Sequence, residues 1–248
     1  MRTARVIPAL LMVLLTATGC ASLADRFPIE FPDVSVETPA AAAPSGGAAD
    51  VLATLPVKGR APKTGYTRDE FGPAWADVDR NGCDTRNDVL ARDMTGETFK
   101  PGTHECIVLT GTLNDPYTGK AIPFTRGQGT SEKVQIDHVV ALSDAWQKGA
   151  QQLDAAARRN LGNDPLNLLA VDGPTNNAKR DGDAATWLPP VKAYRCDYVA
   201  RQVAVKAKYA LWITQAEHDT IVDILGTCPG EPVPVDDTVP GPVHSTGT

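Results

Sequence analysis

The sequence predicts an α+β domain in which a small antiparallel sheet is surrounded by helices and held by disulfide bonds. The first observation is a pair of apolar runs, residues 107–109 and 121–125, on either side of the sequence NDPYTG, which is typical of a β-hairpin. The second is a pair of longer apolar segments, KVQIDHVVAL and PLNLLAV, which we expect to be strands. The third is the helical spacing of apolar residues between residues 194 and 225.

Capping residues and apolar spacing predict the individual helices. Asp84, Ser143 and Thr214 are suitable N-caps, because their side-chain oxygens can accept a hydrogen bond from the first helical turn. We expect helices in DTRNDVLARDM, SDAWQKGA, DAAARRNLGN, YRCDYVARQVAVKAKYALWI and TQAEHDTIVDIL. A further helix is predicted before the turn sequence DRNG, from the spacing of Phe71, Trp75 and Val78.

The two ends of the chain differ in composition from its middle. Residues 1–19 begin with two arginines and continue with an apolar run too short to span a bilayer comfortably, which is typical of a secretory signal. Small residues precede Cys20, so either Cys20 is lipidated as in a lipoprotein, or an ordinary signal peptide is cleaved nearby. We expect residues 20–62 to be a disordered Ala/Pro/Gly-rich tether, residues 63–228 to fold, and residues 229–248 to be a disordered tail.

The remaining four cysteines fit an exported protein with two disulfide bonds. They are Cys83, Cys106, Cys196 and Cys228, and none has the CxxC spacing of a zinc site. Four cysteines allow three pairings. We favour Cys83–Cys106 and Cys196–Cys228, because the second bond would join the two ends of a predicted helical hairpin.

The net charge argues only mildly against a nucleic-acid partner. The formal charge is −6, and loss of residues 1–19 removes Arg2 and Arg5 but no acids, which leaves 22 basic and 30 acidic residues, or −8. A nucleic-acid-binding protein usually carries a basic face. Residues 126–208 hold 12 basic and 9 acidic side chains, and the local field rather than the total charge steers a ligand. The acidic total therefore does not exclude a nucleic acid.

Three segments carry residues that suit catalysis: IDHVVAL, PLNLLAV and NNAK. They place Asp137-His138, Asn167, Asn176 and Lys179 in order along a strand, a second strand and a helix, with a long insertion between the strands. This ββα arrangement resembles the HNH (His-Me finger, ββα-metal) endonucleases. Over most of residues 65–228, stretches such as GCDTRNDVL, DPYTG and DGDAATWLPP are similar to the secreted bacterial HNH proteins related to the C-terminal domain of GmrSD restriction enzymes.

The resemblance implies a role for each of these residues. His138 would be the general base, and Asn167 would offer a side-chain or backbone oxygen to the other ring nitrogen. Asp137 and Asn176 would hold one divalent metal ion through oxygen atoms, which suits Mg²⁺ or Mn²⁺. Lys179 would contact phosphate. Asn177 stays an alternative metal ligand, and we choose Asn176 because Lys179 lies three residues beyond it.

Further residues are candidates for contact with the substrate, namely Arg86, Arg126, Asn177 and Arg180. Arg86 lies among acids in DTRND, so a structural ion pair is an equal alternative. No module that reads base edges is visible, so we expect little sequence preference. His104 and His218 are expected at the surface and Trp187 in the core.

The leading hypothesis is an exported, metal-dependent endonuclease that acts on DNA, with RNA left open. We expect a monomer whose only contact with a membrane is the N-terminal lipid anchor. A non-catalytic cell-envelope binding module on a degenerate HNH fold is the alternative, and a phosphoesterase for smaller substrates is a weaker third hypothesis. Neighbouring residues in a strand point to opposite sides, so Asp137 and His138 can share one site only at the end of a strand.

Overall fold

The computed structural model describes residues 47–236, 238–239 and 241–242. The predicted signal segment, Cys20, the tether up to residue 46 and the end of the tail lie outside these residues and stay predictions. Within the described ranges, no helix combines the length and the apolar character needed to cross a membrane.

The predicted hairpin is confirmed and forms part of a three-stranded antiparallel sheet. The strands are β1 (Met94–Phe99), β2 (Val108–Asn114) and β3 (Ala121–Thr125), in that spatial order. In the turn between β2 and β3, the Asp115 carboxylate accepts hydrogen bonds from the Thr118 N–H and hydroxyl. Strand β1 was not predicted, because its sequence MTGETF lacks apolar alternation.

A second sheet pairs β4 (Val134–His138) with β5 (Leu168–Asp172) in an antiparallel register that places His138 opposite Leu168. Helix α5 (Gly173–Lys179) follows β5 without a loop, so the predicted order of strand, strand and helix is present. The insertion between the two strands contains α3 (Leu142–Gln147) and α4 (Ala155–Asn163). His138 is the last residue of β4, so the Asp137-His138 pair lies at the end of a strand, where both side chains can share one site.

The start of α5 requires glycine at position 173. A Cβ atom placed there would lie 2.1 Å from the carbonyl oxygen of Glu132, which is backbone and cannot rotate away. The glycine therefore lets the helix begin directly after β5 and pack beside the segment that leads into β4. Asp172 caps the helix by accepting hydrogen bonds from the Thr175 N–H and hydroxyl.

Three other helices agree with the sequence predictions, namely α2 (Thr85–Asp93), α6 (Arg195–Lys208) and α7 (Gln215–Leu225). Asp84 caps α2 and Thr214 caps α7, as predicted. Ser143 is not a cap, since α3 begins one residue earlier and the Ser143 hydroxyl donates to Asp181 instead.

The helix predicted through Phe71, Trp75 and Val78 does not form. A short 3₁₀ turn, Arg68–Phe71, is followed by Gly72 with a φ of 71° and then by Pro73, and neither residue can continue the turn. The chain beyond this point is irregular as far as α2.

The folded domain begins earlier and ends later than predicted. Helix α1 (Ala48–Leu52) lies inside the expected tether, yet Val51 and Leu52 are buried and the helix packs on α6. In the expected tail, Val233 and Val239 are buried, and the Ala48 N–H donates to the Glu231 carbonyl. Composition concealed these segments, because a few buried apolar residues suffice to dock a short Ala/Pro/Gly-rich segment on a larger core.

Both disulfide bonds have the favoured pairing. Cys83–Cys106 links the residues before α2 and β2, and Cys196–Cys228 joins the start of α6 to the segment after α7. The second bond closes the hairpin formed by these two helices.

The two-stranded sheet lies between two hydrophobic clusters. Leu168 and Ala170 of β5 contribute to the cluster beside α2 and the three-stranded sheet, whereas Leu169 and Val171 contribute to the larger cluster with α1, α3, α6 and α7. Alternate strand residues project to opposite faces, so both faces of β5 are covered. This packing on both sides makes the sheet a rigid support for the end of β4.

A buried network of ions lies within the larger cluster. The Lys148 ammonium is 2.8 Å from Asp144, 2.7 Å from Asp183 and 2.6 Å from Glu217. Lys206 lies 3.1 Å from Glu217, so the acids have more than one cationic partner. The network connects α3, α6 and α7 with the segment that follows α5.

Candidate functional site

An open cavity of about 560 Å³ lies at the end of β4, beside α5. Six of the predicted site residues line it, and these are Arg86, Asp137, His138, Asn176, Asn177 and Arg180. Three others do not line it: Arg126, Asn167 and Lys179. The rest of the wall comes from Tyr66, Arg68, Trp75, Gln135, Ile136, Ala141, Leu142, Ser143 and Asp181.

The His138 ring is held in one orientation by α4. Its Nε2 atom is 2.8 Å from the Gly162 carbonyl oxygen, which can only accept, so Nε2 carries the proton. Burial lowers the pKa of His138 to about 3; the hydrogen bond to Gly162 opposes this effect, and the charges of Arg68 and Lys179 add to it. The imidazole is therefore neutral near pH 7, and Nδ1 is left as an acceptor.

Asn167 supports the backbone after β4 rather than the imidazole. It is fully buried, its Oδ1 accepts from the Val140 N–H at 2.8 Å, and its Nδ2 donates to the Val140 and Leu161 carbonyls. The oxygen expected from Asn167 at the His138 ring comes from Gly162 instead. Asn167 thus fixes the turn that follows His138.

The Asp137 carboxylate has a partner on each oxygen. Lys179 Nζ lies 2.9 Å from Oδ1, and the Tyr117 hydroxyl donates to Oδ2 at 2.6 Å. Burial, followed by the neighbouring Asp137 charge, raises the pKa of Tyr117 well above its usual value, so the hydroxyl stays protonated and donates. These two donors, neither of which lines the cavity, hold the carboxylate in place.

Lys179 is buried, with 2% of its surface exposed, and its Nζ also donates to the His138 carbonyl at 2.7 Å. A phosphate contact does not fit this position, because the ammonium group is used by Asp137 and His138. The structure instead makes Lys179 the connection between the end of α5 and the end of β4.

The cavity offers oxygen atoms that fit a small divalent cation. Asn176 Nδ2 donates to Gln135 at 2.9 Å, and among the described residues Asn176 Oδ1 has no hydrogen-bond donor. Each Asp137 oxygen accepts one hydrogen bond and keeps a second acceptor position. Such carboxylate and amide oxygens suit Mg²⁺ or Mn²⁺.

In the described part of the chain, the one close group of three His, Cys, Asp or Glu side chains lies elsewhere, at Cys196, Cys228 and Glu231. Its two sulfur atoms form a disulfide bond and are not thiolate ligands.

Three guanidinium groups surround the cavity. Arg68 and Arg180 are exposed, and neither makes an ion pair within the described ranges. Arg86 also lacks an ion pair there, so the alternative of a structural pair is not supported; burial lowers its pKa, and so does the neighbouring charge of Arg126. These groups would attract an anion.

Arg126 has a structural position. Its Nε donates to the Val108 carbonyl at 2.6 Å, and its Nη2 donates to the Asn87 side chain. It therefore holds β2 and α2 together outside the cavity.

Sequence reasoning did not include Arg68, Trp75 and Tyr117 in the site. Arg68 begins the short 3₁₀ turn before α2, Trp75 lies in the irregular chain that follows this turn, and Tyr117 comes from the hairpin turn. The backbone conformation marks two residues of the cavity. Trp75 and Arg180 have φ values of 61° and 55°, a region that bulky side chains rarely adopt. Such values are found disproportionately at functional sites.

Fold and cavity together define an α+β protein with an open cavity lined by His138, by carboxylates and by three arginines. Residues 84–224, more than half of the chain, match the family described as GmrSD restriction endonucleases, C-terminal domain, and the chain belongs to this family. The family relates the chain to nucleases. Arg68 and Trp75 lie before the matched range.

The chain is also 35% identical over 195 residues to a protein of Arthroderma benhamiae described as "Uncharacterized secreted protein". The match covers 78% of this chain and 90% of the relative. This relative is fungal, so similar proteins are not confined to bacteria. Together with the two disulfide bonds, it supports export. No solved structure matches the chain.

Replacement of Lys179 by Met should destabilise the fold by about 3–5 kcal/mol, because the buried Asp137 carboxylate would lose its cationic partner. Urea unfolding would measure the loss. Lys63→Met is the matched control, since Lys63 pairs with Asp181 at 3.5 Å and both side chains are more than half exposed. It should cost less than about 1 kcal/mol. Equal losses in the two variants would contradict this role of Lys179.

Replacement of His138 by Gln should flatten the dependence of stability on pH. Between the folded pKa of about 3 and the ordinary value of 6.5, the unfolded chain binds a proton that the folded chain does not. The stability that neutral His138 contributes is fully present above pH 6.5 and is lost as the pH falls toward 3, by at most about 1.4 kcal/mol per pH unit.

Gln can donate an N–H to the Gly162 carbonyl without titrating. The free energies of unfolding of the wild type and of His138→Gln should therefore diverge as the pH falls. Urea unfolding between about pH 4 and pH 7 would show the difference. His104→Gln, at an exposed turn, should keep the wild-type profile. The same dependence of stability on pH in the wild type and in His138→Gln would contradict the lowered pKa of His138.

Proposed function

We propose that the chain is an exported, metal-dependent endonuclease that hydrolyses phosphodiester bonds of DNA with little sequence preference. The single observation that carries this proposal is the neutral His138, whose Nδ1 is available beside Asp137, Asn176 and arginines that make no ion pair with any described residue. The ββα-metal type is supported by the order β4, β5, α5 and by the position of the Asp-His pair at the end of β4. The family match supports the nuclease class.

His138 acts as the general base. Its Nδ1 takes a proton from a water molecule, the water oxygen forms a new bond to phosphorus, and the bond from phosphorus to the leaving sugar oxygen breaks. The leaving oxygen takes a proton from solvent. The hydrogen bond from Nε2 to Gly162 keeps Nδ1 directed at the water and stabilises the imidazolium that forms. The negative charge of a bound phosphodiester would raise the pKa of His138 from its low value.

Asp137 and Asn176 would hold one divalent ion, Mg²⁺ or Mn²⁺, through their free oxygen positions. When bound, the ion would supply positive charge that offsets the negative charge on the phosphate and leaving oxygens. Lys179 and Tyr117 keep the Asp137 carboxylate in a fixed orientation for this contact. Asn177, exposed on α5, stays a second candidate for contact with the ion or the substrate.

Phosphate contacts come from Arg68, Arg86 and Arg180, which surround His138. Affinity that depends on phosphate contacts carries no sequence information and falls with added salt. The chain acts as a monomer after export, and lipidated Cys20 anchors it where the signal is of the lipoprotein type.

Purified protein should degrade plasmid DNA with Mg²⁺ or Mn²⁺ and lose this activity in EDTA. His138→Ala should lower the rate by about 10²–10⁴-fold, because the general base is removed. Asn176→Ala should raise the metal concentration needed for half-maximal activity. Gel analysis of plasmid cleavage over time would measure all three effects.

His104→Ala is the control, since His104 is exposed and does not line the cavity. It should cleave like the wild type. Metal-dependent cleavage at the wild-type rate in His138→Ala would contradict the role of His138 as the general base. DNA binding without any cleavage would favour the non-catalytic binding module.

A further inference from the structure

We propose that Trp75 is a stacking platform for a nucleobase next to the scissile phosphate, so that the site binds unpaired, single-stranded DNA better than duplex DNA. This inference deepens the proposed nuclease function and rests on it. Trp75 lies outside the range that matches the family, and the inference depends on its geometry alone.

Trp75 lies beside His138 and lines two cavities. It lines the main cavity and a second cavity of about 80 Å³ that shares Arg68, His138 and Leu142 with it. The second cavity is otherwise lined by Asp69, by residues of the Phe71–Ala74 segment and by the end of α4. A flat group attached to a phosphate at His138 would therefore meet the indole.

The backbone holds Trp75 in an unfavourable conformation. Its φ of 61° is unusual for a bulky residue and persists only where the surroundings impose it. Asn163 supplies part of this constraint, because its Oδ1 accepts from the Ala76 N–H at 2.9 Å and its Nδ2 donates to the Pro73 carbonyl at 3.4 Å. The Thr85 hydroxyl donates to the Ala76 carbonyl at 2.6 Å. The position of the indole is thus fixed from both sides.

The indole of Trp75 is only partly used by the core. It packs against the hydrophobic cluster beside α2, and the Arg86 guanidinium lies 5.9 Å from its ring centre. Its N–H makes no hydrogen bond within the described ranges, whereas the indoles of Trp146 and Trp212 donate to the carbonyls of Thr64 and Gly59. A rigid, partly exposed aromatic ring beside cations is the arrangement by which single-stranded nucleic acids are bound.

The residues around Trp75 indicate the chemical class of the ligand. Arg68 and Arg86 line the same cavity as Trp75 and suit phosphates, so the indole beside them suits the base that those phosphates carry. A base inside a duplex is already stacked on its neighbours and cannot reach the indole unless it is first extruded. Unpaired nucleotides are therefore the better substrate.

The test compares a single-stranded oligodeoxynucleotide of about ten nucleotides with the same chain in which central bases are removed and all phosphates remain. Dissociation constants are measured in EDTA, so that the DNA stays intact, for the wild type and for Trp75→Ala and Trp75→Phe. Removal of the bases should weaken binding to the wild type about tenfold or more. Trp75→Ala should bind both oligonucleotides with the same weak affinity, and Trp75→Phe should keep part of the difference.

Trp187→Phe is the matched control, because Trp187 is a partly exposed tryptophan that does not line the main cavity. It should behave like the wild type. In the wild type, single strands should also compete better than duplex of equal length.

Equal affinity of the wild type for normal and abasic strands would overturn the inference, whether or not the variants fold. A base-dependent difference that survives in Trp75→Ala would also overturn it. Plasmid cleavage that is intact and depends on His138, combined with either result, would leave the proposed nuclease standing and remove only the stacking role. Failure of both cleavage and oligonucleotide binding would remove the proposed function itself.

Discussion

The buried ammonium group of Lys179 is the contact on which the site depends. It joins Asp137 Oδ1 and the His138 carbonyl to the last turn of α5, while Tyr117 closes the other side of the Asp137 carboxylate. A buried ion pair is costly to break, because the remaining charge has no water to solvate it. The distance between His138 and the side chains of α5 is fixed in this way, and Asn176 therefore keeps its place at the cavity.

The end of α4 provides the second support. Its last turn presents the Leu161 carbonyl to Asn167, the Gly162 carbonyl to His138, and the Asn163 side chain to the segment around Trp75. Three consecutive residues of α4 thus orient the His138 imidazole, the turn that follows His138, and the segment that carries Trp75. The insertion between β4 and β5 is therefore part of the site, although none of its own charged groups reaches the cavity.

Sequence reasoning brought together Asp137, His138 and Asn176, because strand pairing and a directly following helix place them at one end of the sheet. It failed where the partner of a side chain is set by tertiary packing. Whether a lysine on a short helix faces phosphate or a buried carboxylate is decided by the tertiary contacts of that helix, and periodicity does not show this for Lys179. Trp75 sits in irregular chain that follows a glycine and a proline, so no repeat or motif indicated its conformation.

The central claim is that Asp137 and Asn176 hold one divalent ion beside the Nδ1 atom of His138. Anomalous diffraction from crystals soaked in Mn²⁺ tests it most directly. We expect one Mn²⁺ with oxygen atoms of Asp137 and Asn176 within about 2.0–2.6 Å, and water in the remaining positions. Saturating Mn²⁺ that binds elsewhere and leaves the cavity beside His138 empty would contradict the claim.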